Sequence, residues 1–523
     1  MRYKFILSIS ALALLACSPE LSNDSPQSEG AIVQVEISGI ETGTLLAPEA
    51  TREVIDEMAL EKASSAEPQK ASPLPALISA IESVRAHGLN PEHYHLTRLK
   101  DDRLSETERQ QLAIDGWLSA SAHIAYGKLD AVSIEPDWTA GKRELNLPAA
   151  FQDALTTGEF QKTLDNIAPK HASYQALKSE LARLLELEKT PITQIEPGEV
   201  LKLKMRGPRV SALQTRLSEL EFLTPEQISG EFDETTKEAV KRFQDYSELD
   251  ADGVAGAGTL NALNRDLGVQ IEQVRANLER WRWLPDNLGE RHLRTNIAGF
   301  TTQIFEQGEP VRTHLVIIGK TYRKTPVFSD KVEYIVFNPW WETPYSIATR
   351  DKLPVFKKDP GAAERSGFEV VDRNGQVIPA SSVDWNSLSA SNFPYRLRQR
   401  PGDQNALGQV KIMFPNQHNV YMHDTPTRGL FSQRQRAFSS GCVRTQNPID
   451  LSEWLLSETP SWNRARIDSA LATKKETRAD LARPVPVHIL YMTVVKEENG
   501  VRYLDDIYAR DGKVIAGLDE TPA

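Results

Sequence analysis

One cysteine and one histidine have the types and surroundings of a nucleophile and its base. Cys442 lies in Ser439-Ser440-Gly441-Cys442-Val443-Arg444, and His423, nineteen residues upstream, ends a predicted strand. A thiol attacks carbonyl carbon well only as thiolate, so its pKa must be lowered by a positive charge, a helix start or an imidazole. The pattern therefore predicts acyl transfer with Cys442 as the nucleophile and His423 as the general base.

The residues beside this pair suit a substrate cleft. Tyr421 and His423 alternate along the strand and so share one face. Gly441 allows an unusual backbone angle, and the amides of Gly441 and Cys442 can then face a developing oxyanion. Arg444 can hold a carboxylate by a forked contact. We therefore expect oxyanion or substrate contacts from Gly441, Ser440, Ser439, Arg444 and Tyr421.

Alternatives exist for both members of the pair. Free cysteines are commonly buried and inert, although the small polar Ser439-Ser440-Gly441 favours a loop over a core. His423 could be a structural histidine. His418, in a predicted turn, and His488, in the last strand pair, are rival bases.

Length and composition limit the class of protein. The chain has 523 residues, too many for one core, so two to four domains are expected. It is 40% hydrophobic and 25% charged, as soluble globular proteins are, and its net charge of -11 argues against a nucleic-acid-binding surface. No internal apolar run approaches the length of a membrane span.

The N-terminus has the pattern of a secretion signal. Arg2 and Lys4 precede an apolar run that ends at Ala16-Cys17, which resembles a bacterial lipoprotein cleavage site. We predict a signal peptide at 1–16, lipidation of Cys17 and a flexible tether at 17–70. Ser18 resembles the residue found in lipoproteins of the outer membrane, which implies a lipid-anchored periplasmic protein of a Gram-negative bacterium. The alternative is an ordinary signal with an incidental cysteine.

The patterns in the rest of the chain predict a multidomain α+β protein. Apolar residues at helical spacing predict an all-α scaffold domain at 71–190. A linking helix is expected at 267–293, after a small helical bundle at 195–266. Short β-branched runs predict a mainly β catalytic domain at 294–515, with a lid-like subdomain inserted at 343–405. His93 and His95 could suggest a metal, but no third ligand lies nearby, so no metal site is predicted.

An internal repeat marks the small bundle. Val210-x-x-Leu213-Gln214 recurs thirty positions later as Val240-x-x-Phe243-Gln244. After each copy comes a glycine, and the distances from this glycine to a threonine and then to an alanine are the same in both copies. The segment from Arg209 to Asn264 resembles the peptidoglycan-binding domain of cell-wall enzymes. Residues 253–258 are unlike a phosphate loop, because no Lys-Ser/Thr follows them. Residues 250–252 are unlike a calcium loop, because the bidentate glutamate is missing.

The β region resembles the L,D-transpeptidases. The resemblance is carried by His423-Asp424-Thr425, Arg436-Ala437-Phe438 and Ser439 to Arg444, together with Asn405 to Lys411 and Phe414-Pro415-Asn416, which are similar to the family's long, two-domain branch. It covers about 294 to 508. Where the family most often has histidine before Gly-Cys, this chain has Ser440, which leaves His423 as the base.

The resemblance implies a reaction. Cys442 would attack the third residue of a tetrapeptide stem, release D-alanine and pass the thioester to an amine of another stem, forming a 3→3 cross-link. Carbapenems would acylate Cys442, and no cofactor is implied. The expected partners are peptidoglycan stem peptides and, through the lipid, the outer membrane; cell-wall synthases as partners stay open. The alternatives are a cysteine L,D-carboxypeptidase and a non-catalytic peptidoglycan-binding lipoprotein.

Overall fold

The computed structural model describes residues 72–247, 249–498 and 500–521. The predicted signal peptide, Cys17 and the tether lie outside this part of the chain. Among the helices of the described residues, none combines the length and the apolar character that crossing a membrane requires.

The first described region is helical. Its longest helix, Glu106–Tyr126, begins at a capping box in which Ser105 and Glu108 satisfy each other's backbone amides. Trp117 lies fully buried in the core that these helices share. The helices are α1 Leu74–Ser83, α2 Leu96–Leu99, α3 Glu106–Tyr126, α4 Ala131–Ile134, α5 Leu147–Thr157, α6 Phe160–Ile167 and α7 Ala172–Leu187.

The repeat forms a bundle of α8 Pro208–Glu219, α9 Glu234–Tyr246 and α10 Ala257–Leu263. The buried carboxamide of Gln214 accepts a hydrogen bond from the Gly230 amide (2.7 Å) and donates one to the Thr236 hydroxyl (2.8 Å). The second copy forms the same two bonds, at 2.8 and 3.0 Å, with its own three residues, Gln244, Gly253 and Thr259. The repeated residues therefore hold each turn against the helix before it.

The linking helix α11, Leu267–Arg282, joins two parts of the molecule. Its buried Val274 and Trp281 lie in the same apolar core as the first helices, and Val494 and Val514 from the C-terminal part of the chain complete this core.

The β region is a barrel. Nine strands follow the order β11-β3-β12-β10-β9-β4-β13-β1-β2, and an additional pairing of β2 with β3 closes the sheet. The strands are β1 Arg291–Asn296, β2 Thr301–Glu306, β3 Glu309–Gly319, β4 Phe328–Phe337, β9 Val410–Met413, β10 Met422–His423, β11 Ala437–Ser439, β12 Val443–Thr445 and β13 Thr477–Leu490.

A subdomain with its own core interrupts the barrel between β4 and β9. Its four-stranded sheet has the order β5-β8-β6-β7, and its core contains Phe356 and Trp385. The elements are β5 Trp341–Glu342, α12 Tyr345–Ile347, α13 Leu353–Lys358, α14 Ala362–Arg365, β6 Phe368–Val371, β7 Val377–Ile378 and β8 Arg396–Gln399.

The remaining elements are two helices packed beside the barrel, a hairpin and a last helix. They are α15 Pro448–Leu456, α16 Arg464–Ala472, β14 Val494–Glu497, β15 Gly500–Tyr503 and α17 Asp511–Asp519. The described residues thus form a helical region, a helical bundle and a mainly β domain with an insertion, which confirms the predicted multidomain α+β class.

Candidate active site

Strand pairing brings four of the predicted site residues onto one face of the barrel wall. β10 and β12 are parallel, with Met422 opposite Val443 and His423 opposite Arg444. Met422 and Val443 are fully buried in the barrel core. Because side chains alternate along a strand, Tyr421, His423, Cys442 and Arg444 share the opposite face, outside the barrel.

The imidazole of His423 is held in one tautomer. Its Nδ1–H donates to the backbone carbonyl of Asp424 (2.5 Å), so Nε2 carries the lone pair. Burial, together with the positive charges of Arg444 and Lys411, lowers the pKa of His423 to about 3. The ring is therefore neutral at neutral pH, and Nε2 can accept a proton.

The Cys442 thiol is less acidic than the sequence led us to expect. Burial raises its pKa, and this effect outweighs the hydrogen bonds from Tyr421 and the positive charges of Lys411 and Arg444, which lower it. The sulfur also lies 3.7 Å from the carbonyl oxygen of Asn419. The expectation of a thiol pKa below its ordinary value is wrong for this structure, because desolvation of the thiolate is the larger effect.

Two cations flank the thiol. Lys411 on β9 lies opposite His423 in the sheet, and its Nζ lies 4.2 Å from the centroid of the Tyr421 ring. Arg444 donates to the Thr427 hydroxyl (3.3 Å), and its Nε is buried without a partner in the described part of the chain. Within those residues neither cation forms a salt bridge to a carboxylate, so both charges are available to an anionic group in the cleft.

The loop before Cys442 is fixed by hydroxyl groups. The Ser439 hydroxyl donates to the Cys442 carbonyl (2.6 Å) and accepts from the Gly441 amide (3.1 Å). Of the two amides expected to face an oxyanion, that of Gly441 is thus occupied. The Cys442 amide donates no hydrogen bond within the described residues. Gly441 has φ +121°, and a Cβ there would meet the Lys324 carbonyl oxygen at an ordinary contact distance of 3.9 Å, so its backbone conformation, not crowding, favours glycine.

The inserted subdomain contacts this face at two points. Tyr421 packs against the core of the insertion, to which Trp341 belongs. Arg323 donates to Asp351 in the insertion (2.6 and 3.0 Å) and to the Ser440 hydroxyl (2.9 Å). The insertion is therefore tied to the residue two positions before the cysteine.

The rival histidines lie in other surroundings. His418 pairs with Asp137 (3.5 Å), and His488 makes hydrogen bonds to Ser329 (2.8 Å) and to the Leu288 carbonyl (2.8 Å). His93 contacts Lys128 and His95 pairs with Asp115, so these two side chains point to different partners.

Sequence reasoning missed two residues of the site. Lys411 carries no catalytic signal of its own in the sequence, although its place on a strand paired with β10 could have been anticipated from the alternation around His423. Thr325 has no catalytic motif around it, and its contact with Gly441 depends on the closure of the barrel, for which no local signal exists.

Comparison with protein families separates the regions of the chain. Residues 290–477 match the L,D-transpeptidase catalytic domain of the YkuD family, 67–181 match the "Scaffold domain", and 206–263 match the "Putative peptidoglycan binding domain". The chain thus carries an L,D-transpeptidase catalytic domain with a peptidoglycan-binding domain upstream, which confirms the resemblance seen in the sequence. The catalytic match indicates an enzyme, and the two domains indicate an extracytoplasmic location at the cell wall.

A curated relative and two solved structures are similar to parts of this chain. A protein of Haemophilus influenzae described as "Putative L,D-transpeptidase" is 36% identical over 243 residues, which cover 46% of this chain and 49% of the relative. The chain thus matches about half the length of that relative. An L,D-transpeptidase structure from Xylanimonas cellulosilytica is 16% identical, with 56% of this chain and 99% of that chain covered and a TM-score of 0.17. One from Stackebrandtia nassauensis is 14% identical, with 58% and 97% covered and a TM-score of 0.21.

Proposed function

We propose that this chain is an L,D-transpeptidase that forms 3→3 cross-links between peptidoglycan stems through a thioester on Cys442. The observation that carries the proposal is the shared face of Tyr421, His423, Cys442 and Arg444, with the His423 tautomer fixed by Asp424. This arrangement offers a nucleophile, a base with a free lone pair and a cation at one position of the barrel wall.

In the first half-reaction the thiol and the imidazole both start neutral. The sulfur attacks the carbonyl carbon of the third stem residue, a diamino acid, while its proton passes to Nε2 of His423. The carbonyl π electrons move to oxygen, and the Cys442 amide donates to that oxyanion. When the oxyanion collapses, the C–N bond to the terminal D-alanine breaks, and the imidazolium returns the proton to the leaving amine.

In the second half-reaction an amine from another stem is the acceptor. It attacks the thioester carbonyl and gives a proton to Nε2, and the C–S bond breaks to leave a protonated thiol and a new amide. Arg444 and Lys411 provide positive charge for the carboxylates of the stems. With water in place of the amine, the same thioester would yield a shortened stem, which is carboxypeptidase activity.

Incubation with isolated tetrapeptide muropeptides tests the proposal. We expect a cross-linked dimer whose mass equals two monomers less one D-alanine, and no product from the Cys442→Ala variant. Shortened monomers alone would assign hydrolysis in place of transfer. Retention of the variant on sacculi without any product from the wild type would leave only a binding role.

We further propose that Cys17 is lipidated and that the protein is anchored in the periplasm, at the outer membrane. The support is the short apolar run that ends at Ala16-Cys17, followed by Ser18. A Cys17→Ser variant is expected to leave the membrane fraction, whereas a wild-type protein found wholly in the soluble periplasmic fraction would refute the anchor.

A further inference from the structure

Thr325 is fully buried and lies in the connection between β3 and β4. Its hydroxyl accepts a hydrogen bond from the Gly319 amide (2.9 Å) and donates one to the Gly441 carbonyl (2.8 Å). A threonine hydroxyl has one proton to donate, so the bond from Gly319 directs that proton toward Gly441. The side chain thus joins the end of β3 to the residue immediately before the nucleophile.

The position of Thr325 is fixed from a second direction. Its backbone amide donates to the Tyr508 hydroxyl (3.2 Å), which in turn donates to the Gly319 carbonyl (2.5 Å). The Tyr508 amide donates to the Tyr491 hydroxyl (2.9 Å), which donates to Asp506 (2.6 Å). A hydrogen-bonded chain from the C-terminal segment therefore reaches the Gly441 carbonyl through Thr325.

The bond to Gly441 determines where the Cys442 amide points. The peptide that joins these residues is trans, as are all peptides of the described chain. In a trans peptide the carbonyl oxygen and the following N–H point in opposite directions. Since the Gly441 carbonyl points at a fully buried residue, the Cys442 N–H points away from the interior, and it has no acceptor within the described residues.

We propose that Thr325 is a positioning residue that orients the Cys442 amide as the donor to the oxyanion of acyl transfer. The inference rests on the proposed function, since it requires attack of Cys442 on a carbonyl. Gly441, at φ +121°, could otherwise turn this peptide plane, because glycine tolerates a wide range of backbone angles. Within the described part of the chain Thr325 makes no hydrogen bond to the thiol or the imidazole, so we expect its effect to lie in the direction of the donor.

Two reactions of the same sulfur separate this role from a general structural one. Acylation by a carbapenem passes through an oxyanion: the sulfur adds to the lactam carbonyl, and the C–N bond of the ring then breaks. Alkylation by iodoacetamide displaces iodide from carbon and forms no oxyanion. A misdirected Cys442 amide should therefore slow the first reaction and leave the second unchanged.

The test compares Thr325→Val, which removes the hydroxyl at nearly constant shape, with Thr325→Ser, which retains it. Intact-protein mass spectrometry gives both rates. We expect the carbapenem to acylate Thr325→Val ~10- to 100-fold more slowly than the wild type, since loss of an oxyanion donor lowers reaction rates by ~10²–10³. The serine variant should stay within about 3-fold of the wild type, and iodoacetamide should alkylate all three proteins at the same rate across pH.

Wild-type acylation rates in Thr325→Val would overturn the inference and leave the proposed function intact, as would equal slowing of acylation and alkylation. A wild-type protein that is alkylated but never acylated would overturn both. If Thr325→Val does not fold, Tyr508→Phe removes the hydroxyl that holds Gly319 and Thr325 and is expected to slow acylation alone.

Discussion

Burial and charge compete to set the reactive state of Cys442. Burial raises the thiol pKa, while Lys411 and Arg444 lower it by less, and His423 stays neutral with a pKa of about 3. A stable thiolate–imidazolium pair is therefore not the resting state. The proton moves from sulfur to Nε2 only as a carbonyl is attacked, so the substrate and the base are needed together.

The pH dependence of alkylation tests this resting state. Because the thiol is protonated in the free protein, its reaction with iodoacetamide should accelerate from pH ~6 to pH ~9.5, with no plateau on the acid side. His423→Gln should keep the shape of the profile, since a neutral ring contributes no charge to the thiol. A plateau below neutral pH in the wild type would instead indicate a preformed ion pair.

Gly441 offers a second prediction at this scale. At φ +121° an alanine is strained, so Gly441→Ala should destabilise the loop by ~1–2 kcal/mol and slow acylation by at least about tenfold. Gly429→Ala is the matched control, because a Cβ there meets no atom within 4 Å and its φ lies outside the left-handed range. Acylation kinetics and thermal unfolding of both variants check the prediction; equal behaviour of the two would show that φ at 441 is not limiting.

The sequence identified Cys442 and His423 as the candidate pair because residue type and strand alternation are local properties. The sequence did not show whether burial or the nearby positive charges have the larger effect on the thiol pKa. Desolvation of the thiol depends on the insertion, which packs against Tyr421, and the position of the Lys411 charge depends on the pairing of β9 with β10. Thr325 and its bond to Gly441 depend on contacts between residues 116 positions apart.

At the scale of elements, the inserted subdomain is connected to the nucleophile loop by Arg323. This side chain, 23% exposed, bridges Ser440 and Asp351, which is 40% exposed. Partly exposed ion pairs contribute at most about 1 kcal/mol, so the connection influences local motion more than global stability. The subdomain has its own core; that it covers the cleft stays a prediction.

Asp351→Asn tests this connection. We expect the unfolding free energy to change by less than about 1 kcal/mol, while amide hydrogen exchange in residues 345–358 and 439–442 becomes faster. The control is Asp359→Asn, which removes an ion pair to Arg365 within the insertion and should leave 439–442 unchanged. Exchange at 439–442 that is the same in all three proteins would show that Arg323 transmits nothing to the loop.

Several elements follow their local patterns closely. Helix α15 spans Pro448–Leu456 and has proline in its first turn, where a missing N–H costs nothing. The strand β13 ends at Leu490 and β14 begins only at Val494, although the apolar run continues between them. The side chains of Asn296 and Asn277 bond the backbone of Met492 and Thr493, and such long-range replacements of strand partners leave no local pattern.

At the scale of the whole molecule, ion pairs connect the helical region to the C-terminal segment. Arg510 donates to Glu135 (2.7 Å) across 375 positions, and Arg280 of the linking helix donates to the buried Asp511 (2.5 Å). The sequence indicated separate helical and β regions but not this shared interior, since partners so distant in the chain show no spacing pattern.

Buried histidines make global stability depend on pH. Desolvation lowers the pKa of His87 to about 4 and that of His123 to about 3, from the usual 6.5. Between the lowered pKa of each histidine and its usual 6.5, the unfolded chain binds a proton that the folded chain excludes. The free energy of unfolding therefore falls as the pH falls below 6.5. At pH 5 the loss is up to about 2 kcal/mol per histidine.

Thermal unfolding at pH ~7.5 and pH ~5 checks this prediction. His123→Gln should lower the melting temperature at pH ~7.5. Between pH ~7.5 and pH ~5, however, the melting temperature of the variant should fall by less than that of the wild type, because the glutamine amide does not titrate in this range. It can still accept the hydrogen bond that Tyr94 makes with His123 (2.9 Å). An equal loss in the wild type and the variant would mean that other groups control the acid sensitivity.

The most direct measurement of the central claim is intact-protein mass spectrometry, followed by peptide mapping, after incubation with a tetrapeptide donor. The account predicts a mass increase equal to the donor less its terminal D-alanine, located on Cys442, absent from Cys442→Ala and discharged by a free diamino-acid amine. A donor that is consumed without any adduct on Cys442, or an adduct on another residue, would contradict it.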